Sequence, residues 1–357
     1  MDNFVKLDLN DLLGCINNNN FTVIDPPHNF VKDEFDKFIN KKIAERRKNS
    51  TVSNLRNFHN FIKRTLIEHI CKVYWAHNQK ENISLLDIAI GRGGDIFKFS
   101  EAGISNVFGF DKSESSINSI NPFDQGAKER YSKSNLNINI EFMVGDATQP
   151  SIELIKNIGI FMEKNGLINK KNPENSGFQI MSCQFAMHYF FQSEIALRNV
   201  LGMFSRFLKK GGFFIGTTVD GKNITNLLKK DKSFNSDLLT ITKKYRADVP
   251  KKPFENAYTF KLNDTVDKGN YFNTMGESIE YLVNLETLKK IASEYKLIPV
   301  YFNLFQPFNK NEYASTSDFV SFENIYNLPQ HAGWKKTLSQ EEEVINKLYT
   351  TFIFVKV

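Results

Sequence analysis

The chain has 357 residues, 41% of them hydrophobic and 24% charged, which is enough apolar material for a large core and too much for a disordered polymer. Lysine and arginine number 46 against 40 aspartates and glutamates, a mild excess carried in doublets such as Lys209-Lys210, Lys229-Lys230 and Lys243-Lys244, which suit a phosphate-bearing partner such as RNA or simply mark solvated helix ends. Three scattered cysteines, Cys15, Cys71 and Cys183, exclude a disulfide framework or a zinc site and fit a reducing intracellular compartment, and no apolar stretch reaches membrane-spanning length.

Residues 1–50 read as an N-terminal extension, a candidate RNA-contacting segment with an asparagine run at 17–20, a Pro26-Pro27 break and a charged helix over about 32–48. From 57 to 77, Phe58, Phe61, Ile62, Leu66, Ile67, Ile70, Val73 and Tyr74 recur at helical spacing and predict an amphipathic helix beside the first strand. Lys63 falls next to that apolar stripe, where snorkelling is the ordinary reading.

Residues 85–95 run from an apolar strand into a turn containing Gly91, Gly93 and Gly94, and Asp111 closes a second apolar run about twenty residues later. Such a turn lets backbone approach an adenosine-bearing ligand at a sheet edge and sets the carboxylate near the ribose hydroxyls. The spacing departs from the Gly-x-Gly-x-x-Gly of dinucleotide sites, which favours S-adenosylmethionine, a nucleoside without phosphates, over NAD. A plain glycine turn between core strand and helix is the structural alternative. Asp95 either fixes this loop or supplies only a helix-start charge.

Further strand-like runs at 107–110, 138–144, 178–182 and 213–218 alternate with helical stretches, predicting an α/β fold with a doubly wound, mostly parallel sheet. A helix over 196–210 is expected to stop at Gly211-Gly212, with Lys209 and Lys210 at its negative end. Residues 229–283 read as an insertion whose strands at 258–262 and 279–283 pair as a small lid. After a helix at 285–295, strands at 297–302 and 349–357 leave no room for an ordinary crossover helix, so one of them is antiparallel.

The ordered motifs Leu55-Arg56-Asn57-Phe58-His59-Asn60-Phe61-Ile62-Lys63, Asp87-Ile88-Ala89-Ile90-Gly91-Arg92-Gly93-Gly94-Asp95, Gly109-Phe110-Asp111, Gly145-Asp146-Ala147-Thr148, Ser182-Cys183-Gln184-Phe185-Ala186-Met187-His188-Tyr189 and Ile279-Glu280-Tyr281, with Tyr349 near the end, resemble those of the messenger-RNA cap guanine-N7 methyltransferases of eukaryotes and large DNA viruses. The resemblance spans residues 55–357 and implies a class I, Rossmann-like methyltransferase that uses S-adenosylmethionine, releases S-adenosylhomocysteine and acts on the GpppN end of capped mRNA. It places Lys63, Asp87, Ala89, Gly91, Asp111, Asp146, Ala147, Gln184 and Tyr189 around the cofactor, Asp111 at the ribose and Asp146 at the adenine.

By the same resemblance His59, Asn60, Arg92, Phe185, His188, Phe260, Glu280 and Tyr349 line the cap pocket, with Phe185, Tyr189 and Phe260 as aromatic walls and Glu280, His188 and Tyr349 as the catalytic group. Ala89 stands where the family usually has glycine, His59 where it has asparagine, Arg92 where it has lysine and Thr148 where an aromatic is often found. Guanine presents N1–H and N2–H side by side to a carboxylate such as Glu280, whereas N7 already bears a lone pair, so neither a general base nor a metal is expected. The implied partners are capped transcripts and the triphosphatase and guanylyltransferase domains of a capping enzyme, in the nucleus or cytoplasm, or the host cytoplasm for a viral protein. The rival readings are a non-catalytic RNA-binding or stimulatory subunit of this fold and a methyltransferase with another substrate.

Overall fold

The computed structural model describes residues 50–78, 81–121, 125–229, 231–246, 250–263, 277–302, 304, 319–328 and 337–357. The charged helix expected near 32–48, and any RNA contact made by the N-terminal extension, lie outside the described residues.

In chain order the elements begin with α1 (Ser53–His77), β1 (Ile83–Ile88), α2 (Ile96–Glu101), β2 (Ile104–Asp111), α3 (Glu114–Asn118), α4 (Ala127–Ser132) and β3 (Asn139–Val144). They continue with α5 (Ile152–Lys164), β4 (Phe178–Gln184), α6 (Met187–Phe190), α7 (Glu194–Phe204), β5 (Leu208–Val219) and α8 (Gly221–Leu228). Four short strands follow, β6 (Ser233–Asn235), β7 (Leu239–Lys243), β8 (Ala257–Leu262) and β9 (Ser278–Tyr281). The chain closes with α9 (Leu285–Glu294), β10 (Leu297–Pro299), α10 (Phe322–Tyr326), α11 (Gln340–Asn346) and β11 (Tyr349–Lys356).

Among the described residues the main sheet runs in the order β10-β11-β5-β4-β1-β2-β3. β1 to β5 pair in parallel, while β11 runs antiparallel to both β5 and β10, so the reversed strand is β11. All six residues of β1 are buried, as a strand covered on both faces requires. One face packs with Leu154 and Ile158 of α5, Leu197 and Leu201 of α7 and Leu288 of α9, and the other with Ile67, Ile70 and Tyr74 of α1 and Phe99 of α2. The helical period read from residues 57–77 matches the buried face of α1.

One boundary differs from expectation. The helix expected over 196–210 stops at Phe204, a 3-10 turn covers Ser205–Phe207, and Lys209, Lys210, Gly211 and Gly212 lie inside β5. Phe178 pairs with Leu208 but Ile180 pairs with Phe213, so β5 bulges at this point, with Gly211 at φ +75°. The two glycines serve the bulge rather than a helix end. Lys209 reaches Glu81 at 2.8 Å, and the carbonyls at the end of the helical segment are met by Lys356, whose Nζ donates to Ser205 O at 2.7 Å and Leu208 O at 2.6 Å.

The insertion forms a second sheet, β6-β7-β8-β9, antiparallel throughout. It contains four strands where the sequence suggested two, because β6 and β7 lie in a polar, lysine-rich stretch that masks their few apolar residues. Its inner face packs Leu239, Ile241, Tyr258 and Phe260 against Ile224 and Leu228 of α8. Within β9 the usual alternation is inverted: Ile279 is 61% exposed and Glu280 only 4%.

Candidate cofactor and substrate site

The glycine turn leaves β1 at the carboxyl edge of the sheet. Ala89, Gly91 and Gly93 all take left-handed backbone, at φ +66°, +55° and +70°. Alanine at the first of these positions stores strain that glycine would not. Gly91 N donates to Asp111 Oδ2 and Ser113 N to Asp111 Oδ1, both at 2.8 Å, so Asp111 ties the turn to the end of β2. Burial pushes the Asp111 carboxyl up, against these two backbone donors. A side chain added at Gly91 or Gly94 would meet nothing within 4 Å, so the turn borders open space.

Beneath the turn lies an ion cluster. Lys63 sits 2.7 Å from Asp95 Oδ1 and Lys98 2.8 Å from the same oxygen, all three side chains nearly enclosed. Burial alone would raise the Asp95 carboxyl, but the two ammonium groups hold it below its ordinary range. Lys63 therefore does not snorkel: its ammonium turns inward, 5.5 Å from the centre of the Phe185 ring. Asp95 stands at the N-cap of α2, as the helix-start reading had it, and ties the end of the loop to α1 through Lys63. Asp87, buried in β1, is pushed well above the ordinary carboxylate range by burial and then by the nearby Asp95 charge.

The adenine-side candidates are also braced. Asp146 Oδ1 accepts from Thr148 N at 2.8 Å and from Thr148 Oγ1 at 2.6 Å, and its Oδ2 pairs with Lys112 at 2.8 Å. Ala147 is buried beside it. Gln184, at the end of β4, accepts from Thr217 Oγ1 at 3.0 Å.

Immediately after β4, Phe185 adopts φ +55°, held by donation from its N–H to Thr217 O at 2.9 Å. Its ring stacks with His59 at 5.4 Å and meets Tyr349 edge-on at 5.2 Å. Burial and then the Lys63 charge lower the His59 imidazole to about 3, so it is neutral and backs these aromatic rings. Burial also raises the Tyr349 hydroxyl.

His188 is buried on α6, neither ring nitrogen has a hydrogen-bond partner among the described residues, and its Nε2 lies 3.7 Å from Glu280 Oε1. Burial outweighs that carboxylate and lowers the His188 pKa. Glu280 accepts from Tyr258 Oη at 2.7 Å and from Ser278 Oγ at 2.8 Å. Tyr189 is 40% exposed, its ring lies 4.1 Å from that of His188, and its hydroxyl is raised by burial and then by the charges of Glu280 and Asp111.

Other candidates fall further out. Asn60 is exposed on α1. Arg92 donates to Gln125 O at 3.2 Å, and Arg130 donates to Arg92 O at 3.2 Å, setting two guanidiniums against the glycine turn. Phe260, expected as an aromatic wall, is 3% exposed and packs in the apolar core under the lid, on the same strand face as Tyr258 and Glu280. Tyr258, Ser278, Thr217 and Lys98 escaped the sequence reading. Ser278 stands two residues from Glu280, which was a usable signal, but Tyr258 is joined to it only through the pairing of β8 with β9.

A parallel sheet with a reversed last strand, a glycine turn after β1 and a carboxylate at the end of β2 define a class I methyltransferase. The open space beside Gly91 and Gly94 and the carboxylate of Asp111 at the turn fit S-adenosylmethionine, which is its cofactor.

The chain belongs to the family described as the mRNA (guanine-N(7))-methyltransferase domain, whose model matches residues 25–357. It is 28% identical to the mRNA cap guanine-N(7) methyltransferase of Schizosaccharomyces pombe over 319 residues, covering 87% of this chain and 78% of that one. The Saccharomyces cerevisiae enzyme of the same name is 30% identical, with 88% and 67% covered, and mRNA cap guanine-N(7) methyltransferase 1 of Arabidopsis thaliana is 26% identical, with 92% and 84% covered. Among solved structures, an S-adenosylmethionine-dependent methyltransferase from Clostridium acetobutylicum aligns with a TM-score of 0.44 at 13% identity over 92% of this chain and 99% of that one. Among the described residues no helix is long and apolar enough to cross a membrane.

Proposed function

We propose that this chain methylates N7 of the cap guanine in GpppN-ended mRNA, with Glu280 reading the guanine edge. The observation that carries this reading is the buried Glu280 carboxylate, turned inward while its neighbour Ile279 faces solvent. Tyr258 and Ser278 each donate to one of its oxygens, and the lone pairs left over complement the N1–H and N2–H donors that guanine offers and adenine lacks.

S-adenosylmethionine, when bound, supplies an electrophilic methyl group on a sulfonium. Because N7 carries its own lone pair, the residues need move no proton from it, and their work is alignment and charge stabilisation, for which positioning alone has a ceiling of roughly 7–11 kcal/mol. As the guanine ring gains positive charge, Glu280 attracts it more strongly than before, so this carboxylate both selects the base and lowers the barrier. Phe185 and Tyr349 offer aromatic rings for stacking, and His188 has both nitrogens free of hydrogen bonds among the described residues. Arg92 and Arg130 suit the cap phosphates, with a planar fork where the family usually has a lysine at the first position.

A GpppN substrate presupposes triphosphatase and guanylyltransferase chemistry upstream, and transcripts bearing it occur in the nucleus or cytoplasm. The braced turn together with the buried lid carboxylate favours an enzyme over a non-catalytic subunit. The test is incubation with labelled cofactor and GpppN-capped RNA, followed by digestion to locate the methyl. Glu280→Gln is expected to lose about 3 kcal/mol of transition-state stabilisation, roughly a hundredfold in kcat/KM, with cofactor affinity retained. Unimpaired turnover by that variant, or label anywhere but N7, refutes the assignment.

A further inference from the structure

Glu280 does not hold its own orientation. It lies on β9 opposite Tyr258 of β8, and the two lid side chains that donate to it approach different oxygens: Tyr258 Oη to Oε2 at 2.7 Å and Ser278 Oγ to Oε1 at 2.8 Å. A carboxylate with one fixed donor on each oxygen can no longer spin about its terminal torsion, which is otherwise broad. Each oxygen keeps a second lone pair for a ligand.

We infer that Tyr258 and Ser278 are positioning residues that lock the plane of the Glu280 carboxylate, so that both of its oxygens read the paired N1–H and N2–H of guanine and the lid thereby sets base specificity. The inference rests on the proposed cap methylation and goes one step deeper into the same site. Tyr258 is wholly enclosed, and its ring is anchored in the apolar core of the lid beside Ile241 and Leu239, so its hydroxyl is aimed by packing rather than by the carboxylate. Burial and the Glu280 charge push that phenol well up, so it stays a donor through the neutral range. Ser278 is fixed by the register that sets it against Phe260, whose carbonyl lies 3.3 Å from the hydroxyl, so its single proton goes to the nearer, charged Glu280 Oε1 at 2.8 Å. The two donors thus come from neighbouring strands, and the carboxylate is held only while β8 and β9 are paired.

The distinction from a merely structural role lies in base discrimination. Inosine keeps N1–H but lacks the N2 amino group, so an IpppN cap can engage one oxygen of Glu280 where GpppN engages two. A locked carboxylate rewards the second contact, and a loosened one does not. With full-length protein, kcat/KM for GpppN-capped and IpppN-capped RNA is measured for wild type, Tyr258→Phe, Ser278→Ala and Ser278→Thr, with S-adenosylhomocysteine affinity and melting temperature alongside.

Tyr258→Phe and Ser278→Ala are each expected to lose about tenfold on GpppN and clearly less on IpppN, so that the G-over-I ratio falls about fivefold, with cofactor affinity within about twofold of wild type. Ser278→Thr keeps a hydroxyl and restores the ratio. Equal losses on both caps, or no loss on either, overturn the inference while leaving the function standing. A wild type that binds cofactor but methylates neither cap overturns the function and the inference with it.

Discussion

Asp95→Asn removes the only acid in direct contact with both Lys63 and Lys98 among the ion pairs described, and so leaves two nearly enclosed ammonium groups facing each other. Breaking a buried pair by deleting one partner typically destabilises by about 3–5 kcal/mol. Two effects offset part of this: the Asn amide oxygen still accepts one hydrogen bond, and Asp87 is relieved of a neighbouring like charge. The lower end, about 3 kcal/mol, is therefore expected, equivalent to a fall of about 4–5 °C in Tm for a chain of this size. Because the folded-state carboxyl of Asp95 sits below its ordinary 3.8, its contribution is present above about pH 4 and disappears as pH falls through the depressed value. The assay is urea unfolding at pH 7, with the m-value checked, repeated for Asp95→Asn combined with Lys98→Met, which removes one stranded cation and should recover stability. A shift below about 1 kcal/mol at unchanged m, with no recovery in the double variant, would refute the view that this cluster is a buried, mutually compensated unit.

Three other outcomes follow from the same physics. Asp87→Asn mimics the protonated acid: because the folded-state pKa is raised, the wild-type contribution is full below about pH 4 and declines as pH rises through the raised value, so the variant should gain on wild type towards alkaline pH in thermal scans, and parallel pH profiles would count against it. His59→Asn restores the residue usual in the family. Since the native imidazole titrates near 3 against 6.5 unfolded, wild type loses stability as pH drops from about 6.5 towards 3, and the variant should lose less over that window in denaturant titrations. Gly216→Ala drives a Cβ into the Cys183 carbonyl and the Phe352 ring at the centre of the sheet, and is expected to cost 3 kcal/mol or more, seen as low soluble yield or a large drop in Tm; a near-native Tm would show that β4 and β11 can move apart at that point.

Much of the fold was legible locally. The helical period of α1, the glycine turn, Asp111 at the end of β2 and the reversed last strand all appear where residue spacing put them. The helix end at Gly211-Gly212 was misread because glycines after a helical pattern look alike whether they terminate a helix or relieve a bulge, and only the pairing of β5 with β4 separates the two. The burial of Phe260 was illegible for a related reason: which side of the lid sheet is covered is not written in its own strand.

Composition and periodicity by themselves pointed to the α/β class, the strands of the main sheet and the glycine turn followed by Asp111, because these follow from local patterns along the chain. Tertiary structure alone decided that Lys63 turns inward to Asp95 across 32 positions, that Tyr258 meets Glu280 across 22, and that β9 hides its carboxylate while exposing Ile279. Pairing at such separations depends on sheet register and on which face the neighbouring elements cover, and a one-residue shift of register would have turned Glu280 to solvent without altering a single local preference.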